Sequence, residues 1–407
     1  MCCETHSQKE CRIGNDHYFG LKEWRNLSVQ HSKEIMVKWS ETEVTQRLNI
    51  RYPIIQGPFG GSSTATLVAT VSNAGGLGSF GACDLSPERI VRVAEDIRAL
   101  TDKPFGLNLW VSTADPEGGT VDEETYERSV KLLAPYYEEL RIEIPLRPLM
   151  VPHNFDDQVA ALIEARPAVF SFVFGISSKQ ILLTCRHHKI VTAGVATTVD
   201  EAIALENEGV NVIVASGFEA GGHRPSFLKP AAESLTGNFA LIPQVVDEVR
   251  VPVVAAGGIA DGRGIAAALS LGAQGVQIGT AFLACEESGA NPMHRKLLFE
   301  EDAKYTMLSR AYTGRLARSL SNRFGEDLQV HEPELAKYPA QSWIVAPLKA
   351  AAIAQGRSDL VSLWAGQAAS LLRHRKADDL IAGLRNARDL FATLVRETDE
   401  IFGLRSK

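Results

Sequence analysis

Several features are scarce or missing in this sequence, and each absence excludes a class of protein. Positive charge is not in excess, because 42 Lys and Arg residues stand against 49 Asp and Glu residues, for a formal net charge of -7. A surface that binds nucleic acid must neutralise phosphates with a basic stripe, so this charge balance disfavours one. No apolar run reaches the roughly 18 residues of a membrane-spanning helix, and the N-terminus lacks the basic and apolar segments of a secretory signal. We therefore expect a cytoplasmic protein without nucleic-acid or membrane partners.

Cysteine is also scarce. The chain has 6 cysteines in 407 residues, and Cys83, Cys185 and Cys285 stand alone within apolar or barrel-like segments. A disulfide framework shows dense spacing, and a zinc site needs two ligand pairs at a suitable spacing, so neither is indicated. We expect reduced thiols that pack in the interior, and no bound metal.

What the sequence does contain is typical of a large globular domain. Hydrophobic residues make up 45% and charged residues 22% of the chain, close to the average for soluble proteins. Residues 1–35 are polar and aperiodic, so we expect a flexible extension there. Beyond it, short apolar runs alternate with helical patterns, as in βα units around a parallel sheet. The eight predicted strands are Ile54–Phe59, Leu77–Ala82, Pro104–Val111, Ala168–Gly175, Lys189–Thr197, Asn211–Gly217, Val251–Ile259 and Gly275–Leu283.

Helix signals separate these strands. Ser86 is a candidate N-cap, and Pro87 follows it at the first helical position. Thr198–Glu201 has the pattern of a capping box, and Asp261 can cap a later helix. Eight strands with crossover helices within roughly 230 residues have the size of a (β/α)8 barrel, the TIM-barrel fold of the α/β class. We assign this barrel to residues 36–283.

Two additions to the barrel are predicted. Residues 112–167 exceed one crossover and contain an amphipathic helix at Asp122–Leu140. Residues 284–407 are mostly helical by pattern, including Tyr312–Arg323 and Trp343–Leu372. Additions of this kind usually cover the C-terminal face of a barrel, so we expect a lid or cap.

Glycine concentrates at the ends of four predicted strands, where barrel enzymes carry their ligand loops. Barrels commonly bind a phosphate between the loops after strands seven and eight, through backbone N–H groups and a helix N-terminus. The residues on these two loops are Gly257, Gly258, Gly279 and Thr280. Tight turns alone would explain glycine on one loop, whereas glycine on both of these loops indicates a phosphate site.

Three polar side chains stand out near the strand ends. Asn108 lies within an apolar run and Gln56 ends the first strand. A buried amide must be hydrogen-bonded, either inside the protein or to the edge of a planar heteroaromatic ring. His223 follows two glycines after strand six and is a candidate general base. The next residue, Arg224, either adds positive charge toward a substrate or is a solvated surface arginine.

Seven segments together resemble the nitronate monooxygenase (2-nitropropane dioxygenase) family of FMN-dependent barrels. The resemblance covers about residues 36–375, in the family's order. Its segments are Gln56–Pro58, Ser72–Gly78, Lys103–Leu109, Ala220–Arg224, Ala256–Ala260, Gly275–Phe282 and Leu363–Gln367.

The resemblance implies an FMN cofactor in the barrel mouth. It places His223 facing the substrate above the flavin. The residues that it implies near the isoalloxazine are Gly57, Pro58, Phe59 and Asn108, and those that it implies at the phosphate are Gly258, Gly279 and Thr280. We also predict that Gln56, Gly222 and Gly257 contact the cofactor. Phe59 stands where many relatives carry methionine, and Pro225 where glycine is frequent, which leaves the pocket shape open.

The implied activity is oxidation of nitronates by O2 to carbonyl compounds and nitrite, with His223 removing the proton when the substrate is a neutral nitroalkane. Three alternatives remain open at this point. They are an FMN-dependent enoyl-acyl-carrier-protein reductase, an NAD(P)H:quinone reductase on the same scaffold, and a non-catalytic flavin-binding or phosphate-sensing barrel. The natural substrate also stays open. The oligomeric state stays open as well, with a homo-oligomer among the alternatives.

Overall fold

A computed structural model describes residues 39–111, 122–144, 146–147, 153–373 and 387–403. The predicted extension at residues 1–35 lies outside the described residues. Among the described helices, none is both long enough and apolar enough to cross a membrane.

Eight parallel strands form a nearly closed barrel. They are β1 Ile54–Gln56, β2 Gly78–Gly81, β3 Phe105–Trp110, β4 Val169–Val173, β5 Val191–Ala196, β6 Val212–Ser216, β8 Val253–Ala256 and β9 Gly275–Ile278. A second, antiparallel sheet comprises β7 Gly222–His223, β10 Thr306–Ser309 and β11 Ala317–Leu320. The barrel order is β1-β9-β8-β6-β5-β4-β3-β2, and Leu77 joins its two ends, because its carbonyl accepts from Gln56 N at 2.9 Å and its N–H donates to Ile54 O at 3.0 Å. The predicted TIM-barrel fold is confirmed.

Helices connect the barrel strands and fill the two additions. They are α1 Glu43–Leu48, α2 Ala65–Asn73, α3 Pro87–Arg98, α4 Glu123–Leu140, α5 Phe155–Ala165, α6 Lys179–His187, α7 Val199–Glu208, α8 Asn238–Glu248, α9 Gly262–Ser270, α10 Thr280–Leu283, α11 Pro292–Leu297, α12 Arg323–Gln329, α13 Ala340–Ala354 and α14 Ala387–Ile401. The helix predicted at Asp122–Leu140 is confirmed, with Asp122 as the N-cap of α4.

The predicted caps are mostly present. Ser86 caps α3 and Asp261 caps α9 through their side chains. Thr198 accepts from Glu201 N at 3.2 Å, but the reciprocal half of the predicted capping box is missing. The buried Glu201 carboxylate instead accepts from Thr197 N at 2.7 Å and from two backbone N–H groups of the loop after β6. Glu201 therefore joins the residue before its own helix to a loop at the C-terminal end of the barrel, because one carboxylate oxygen binds Thr197 and the other binds the loop.

The N-terminal end of the barrel is closed by α1. Val44 and Leu48 of this helix are buried in one cluster with Val212 and Val254 of the barrel strands. Full burial of each such side chain contributes roughly 1.5–3 kcal/mol. The opposite end, where the strands terminate, is left for a ligand site.

Three predicted segments differ from the structure. The eighth strand ends at Ile278, because the chain turns at Gly279 and continues as α10. The predicted helical segment Tyr312–Arg323 is wrong, since its centre is β11, which pairs with β10 and β7. The helix predicted over Trp343–Leu372 ends at Ala354. Trp364 instead forms an antiparallel bridge to β11 of the three-stranded sheet. The division into extension, barrel and cap stays a prediction.

Candidate functional site

A cavity of about 500 Å³ lies at the C-terminal ends of the barrel strands. That volume is within the range of about 300–1,000 Å³ typical of small-molecule sites. Glycine loops form one wall, aromatic side chains form a second, and α13 of the C-terminal segment forms a third. The predicted site residues among its lining are Gly57, Pro58, Phe59, Asn108, Gly222, His223, Gly257, Gly258, Gly279 and Thr280.

The glycine wall is built by close backbone contacts between loops. A Cβ atom on Gly57 would lie 3.2 Å from Gly279 Cα, so the loops after β1 and β9 touch. Gly257 and Gly258 have φ angles of 102° and 71°, a region that side chains rarely adopt. A Cβ on Gly279 would meet only Phe59 Cε1 at 3.9 Å, because this position faces the open cavity. The backbone of Gly279 is therefore accessible to a ligand.

Two segments remote in sequence hold these loops in place. Asn238 Nδ2 donates to Ala256 O at 2.9 Å, and its N–H donates to the Glu219 carboxylate at 2.9 Å. Gly366 N donates to Thr280 Oγ1 at 2.9 Å. The conspicuous segment Leu363–Gln367 thus packs against the predicted phosphate loops.

The two predicted amides have different positions. Asn108 is buried and lines the cavity, and its Nδ2 donates to Ser171 Oγ at 3.0 Å. In the described part of the chain, no group donates a hydrogen bond to the side-chain oxygen of Asn108. This oxygen therefore remains available to a ligand. Gln56 does not line the cavity, because its amide accepts from Ser79 N at 3.0 Å and donates to Gly57 O. We therefore revise the predicted role of Gln56 from ligand contact to support of the loop after β1.

His223 lies in the aromatic wall. It belongs to β7, which pairs with β11, and its Nε2 is 2.9 Å from Thr313 Oγ1. Its ring centroid is 5.1 Å from that of Trp110 and 5.3 Å from that of Trp364. Burial among these rings, with a smaller contribution from the charge of Lys349, lowers the pKa of His223 to about 4. The imidazole is therefore neutral at physiological pH and can accept a proton.

Arg224 lies outside the cavity. It is 1% exposed, and its guanidinium donates to the carbonyls of Gly217, Ser216 and Ser234, the last two at 3.0 and 3.3 Å. Burial lowers its pKa to about 10, so it stays charged at neutral pH. Both readings made from the sequence, a substrate contact and a solvated arginine, are wrong, because this side chain ties together the loop after β6.

Several cavity residues were missed at the level of sequence. Ser342, Val345, Ala346 and Lys349 line the cavity from α13 at the spacing i, i+3, i+4 and i+7, which is one helix face. That spacing is visible in the sequence and indicates a shared helix face, but it does not show that the face borders the cavity. The side chain of Asp84, after β2, also lines the cavity.

Further aromatic residues complete the second wall. Phe174 and Tyr338 both line the cavity. The Arg315 guanidinium lies 3.8 Å from the ring centroid of Phe174 and 4.0 Å from that of Tyr338. Cation–π contacts of this kind hold the two rings in fixed positions. Phe174 and Tyr338 thus give the cavity an apolar wall next to His223, at ring-centroid distances of 6.2 and 6.4 Å from its imidazole.

The donor set fits a flavin mononucleotide. The backbone at Gly258, Gly279 and Thr280 borders the cavity where a phosphate would need N–H donors. The absence of a side chain at Gly279 leaves space for that group. The amide of Asn108 and the Gly57–Phe59 loop border the part of the cavity nearest β1 and β3. A planar ring bound there would have the polar amide at its edge and the apolar loop against its face.

The family model and the curated relatives name one family, and the solved structures similar to this chain include two kinds of protein. The family model described as "Nitronate monooxygenase" matches residues 41–386. A "Probable nitronate monooxygenase" of Staphylococcus haemolyticus is 40% identical over 360 residues, covering 88% of this chain and 100% of the relative. The solved structure of nitroalkane oxidase from Streptomyces ansochromogenes has a TM-score of 0.77 and 33% identity, covering 89% of this chain and 99% of that one. The structure of FabK from Thermotoga maritima has a TM-score of 0.67 and 27% identity, covering 89% and 98%.

Proposed function

The chain belongs to the nitronate monooxygenase family, and from this premise we propose that it is an FMN-dependent enzyme that oxidises nitronates with O2 to carbonyl compounds and nitrite. The observation that carries the proposal is the neutral, desolvated His223 in a glycine-lined cavity of about 500 Å³. A nitroalkane or its nitronate is small enough for such a cavity beside a flavin.

Two groups of residues would hold the cofactor. The loops with Gly258, Gly279 and Thr280 would bind the phosphate through backbone N–H groups. Asn108 and the Gly57–Phe59 loop would contact the ring system. When bound, FMN supplies the redox chemistry between the substrate and O2, which no side chain of the protein can supply.

His223 would act on the substrate's carbon-bound proton. With Nε2 engaged by Thr313, Nδ1 would accept the proton from the carbon next to nitrogen, and the resulting imidazolium would stand beside the newly formed nitronate. Thr313 Oγ1, 2.9 Å from Nε2, orients the ring. For a nitronate that has already lost this proton, His223 has only to position the anion's oxygens.

The low basicity of His223 favours preformed nitronates. A base whose pKa is about 4 abstracts a carbon-bound proton less readily than an ordinary histidine of pKa about 6.5. Each pKa unit corresponds to roughly 1.4 kcal/mol of driving force. We therefore expect a nitronate to be the better substrate and the corresponding neutral nitroalkane the poorer one.

The pH dependence of nitroalkane turnover follows from the same shift. The basic form of an ordinary histidine is lost below about pH 6.5, whereas His223 with a pKa of about 4 stays neutral well below that value. The kcat/KM for a neutral nitroalkane should therefore stay level down to about pH 5 and fall only as the pH approaches 4. Initial rates of oxygen uptake across this range, with flavin retention checked at each pH, measure it. A decline centred near pH 6.5 would show that the imidazole is solvated in the working enzyme.

The cofactor and product assignments are tested together. We expect the purified protein to be yellow, with one noncovalent FMN released by heating and identified by chromatography, and to form nitrite from a nitronate. Release of FAD would refute the cofactor. Nitrite formation at the same rate in flavin-free protein would refute the proposed chemistry.

A reductase using NAD(P)H remains the alternative that the sequence left open. It would need a surface over the flavin that binds NAD(P)H as well as the substrate to be reduced. Oxidation of NADH in the presence of an enoyl thioester or a quinone would favour this alternative.

A further inference from the structure

One cation lines the cavity without being used by the chemistry above. Lys349 lies on the cavity-facing stripe of α13, one turn after Val345 and Ala346. Among the described residues that line the cavity, Lys349 is the only lysine or arginine and Asp84 the only aspartate or glutamate. The helix therefore brings a single ammonium group into a largely apolar site.

Two other buried cations of the barrel mouth differ from Lys349. Arg224 donates to three backbone carbonyls, and Arg318 donates to Phe218 O and to Thr306 Oγ1. Several hydrogen bonds to protein acceptors are typical of a structural cation. In the described part of the chain, no hydrogen bond or ion pair within 4.0 Å holds the Lys349 ammonium. Its donors are therefore not held by protein acceptors of the described residues, and the side chain lines the cavity.

The surroundings of Lys349 show that its charge acts within the site. Burial lowers the pKa of Lys349, and the charge of Asp84 opposes that shift. Lys349 in turn contributes to the lowered pKa of His223. The ammonium thus interacts electrostatically with the side chain that faces the substrate. A charge in an apolar site, with no hydrogen bond or close ion pair from the described residues, favours an anionic ligand.

We propose that Lys349 selects the charge of the substrate, by binding the oxygens of an anionic nitronate in preference to the neutral nitroalkane. This inference rests on the proposed function. The negative charge of a nitronate is shared by two oxygens, which a lysine ammonium can bind as a point charge in a site of low dielectric. A neutral nitro group offers the same two oxygens without the charge.

The first test compares two unreactive ligands of the same shape. Isobutyrate has two oxygens that share one negative charge, as propane-2-nitronate has, and isobutyramide is its neutral counterpart. Titrations of the yellow holoenzyme, followed by the change in flavin absorption, give the two dissociation constants. We expect the wild-type protein to prefer isobutyrate by about tenfold or more, because a hydrogen bond to a charged group contributes that much. Equal affinities would overturn the proposal without any variant.

The second test uses Lys349→Met, with Lys349→Arg as the conservative variant. Lys349→Met should lower kcat/KM for propane-2-nitronate by about 10–100-fold and change that for 2-nitropropane by less than about threefold. Lys349→Arg should retain most of the activity on the nitronate. Equal losses on both substrate forms in Lys349→Met would overturn the proposal, since they would indicate a structural lysine.

Asp84→Asn is a control that removes a negative charge from the cavity, whereas Lys349→Met removes a positive one. Removal of the carboxylate should leave isobutyrate binding unchanged or strengthen it, because Asp84 repels an anion. A loss equal to that of Lys349→Met would mean that the two residues act as a structural pair, and would contradict the proposal. Failure of the proposed function looks different, because the wild-type protein would then consume no oxygen with any nitronate.

Discussion

Replacement of His223 by asparagine is expected to lower kcat/KM for neutral nitroalkanes by about 10²–10⁴-fold, the usual contribution of a general base. The loss on preformed nitronates should be far smaller, because these substrates have already released the proton. Oxygen uptake with 2-nitropropane and with propane-2-nitronate measures the two values. Flavin content should not change, since the glycines that would bind the phosphate follow β8 and β9 and are not altered by the substitution.

The two alternatives to a base are distinguishable. Equal losses on both substrate forms would mean that His223 positions the nitro group and abstracts no proton. Unchanged rates on both would exclude it from the mechanism. Thr313→Val is a matched variant, because Thr313 Oγ1 contacts His223 Nε2 at 2.9 Å. We expect it to lower nitroalkane turnover by less than His223→Asn, since it removes the orientation of the ring and leaves the base.

Replacement of Gly279 by leucine should empty the flavin site. A Cβ at Gly279 meets only Phe59 Cε1 at 3.9 Å, and its φ of -96° is accessible to any residue. The leucine side chain would therefore enter the cavity without disturbing the barrel. We expect flavin content to fall to less than about a tenth of the wild-type value, since each 1.4 kcal/mol lost costs tenfold in affinity. The absorbance ratio of flavin to protein measures the effect.

Gly279→Ala is the control for this variant, because a single methyl group fits the space that Phe59 leaves. It should retain bound flavin and wild-type thermal stability. Gly78 illustrates the opposite case, in which a Cβ would lie 2.1 Å from Val68 O and would disrupt the fold. Full flavin retention in Gly279→Leu would contradict the placement of the phosphate, while loss of folded protein in Gly279→Ala would show that Gly279 has a structural role.

The sequence predicted the barrel and the glycine loops because both depend on local patterns. Parallel strands buried on both faces appear as continuous apolar runs, such as Val212–Ser216. Helix starts appear as caps, such as Ser86 and Asp261. The loops after β8 and β9 are identifiable because glycine is needed there, as the positive φ of Gly257 and Gly258 shows.

The role of Arg224 could not be predicted without knowledge of β7. Arg224 extends the pairing of β7, because its N–H donates to Leu316 O at 2.9 Å. Successive residues of an extended chain point to opposite sides, so His223 lines the cavity while Arg224 is buried behind it. The two-residue strand exists only because β11, about 95 residues later in the chain, pairs with it. Long-range pairing of this kind leaves no local sequence pattern.

The third wall was missed for a related reason. The helix face with Lys349 is visible in the sequence as a spacing of i, i+3, i+4 and i+7. This face contains both polar and apolar residues. A pattern of this kind predicts a helix and does not show which cavity the helix borders. The position of α13 over the strand ends results from tertiary packing, in which Ile344 and Leu348 are fully buried.

The measurement that tests the central claim most directly is oxygen consumption by the purified yellow protein in two parallel mixtures. One mixture contains propionate 3-nitronate, and the other contains NADH with a quinone or an enoyl thioester. We predict rapid oxygen uptake with release of nitrite in the first mixture and no comparable oxidation of NADH in the second. Rapid NADH oxidation in the second mixture, with no oxygen uptake in the first, would contradict nitronate oxidation as the function of this protein.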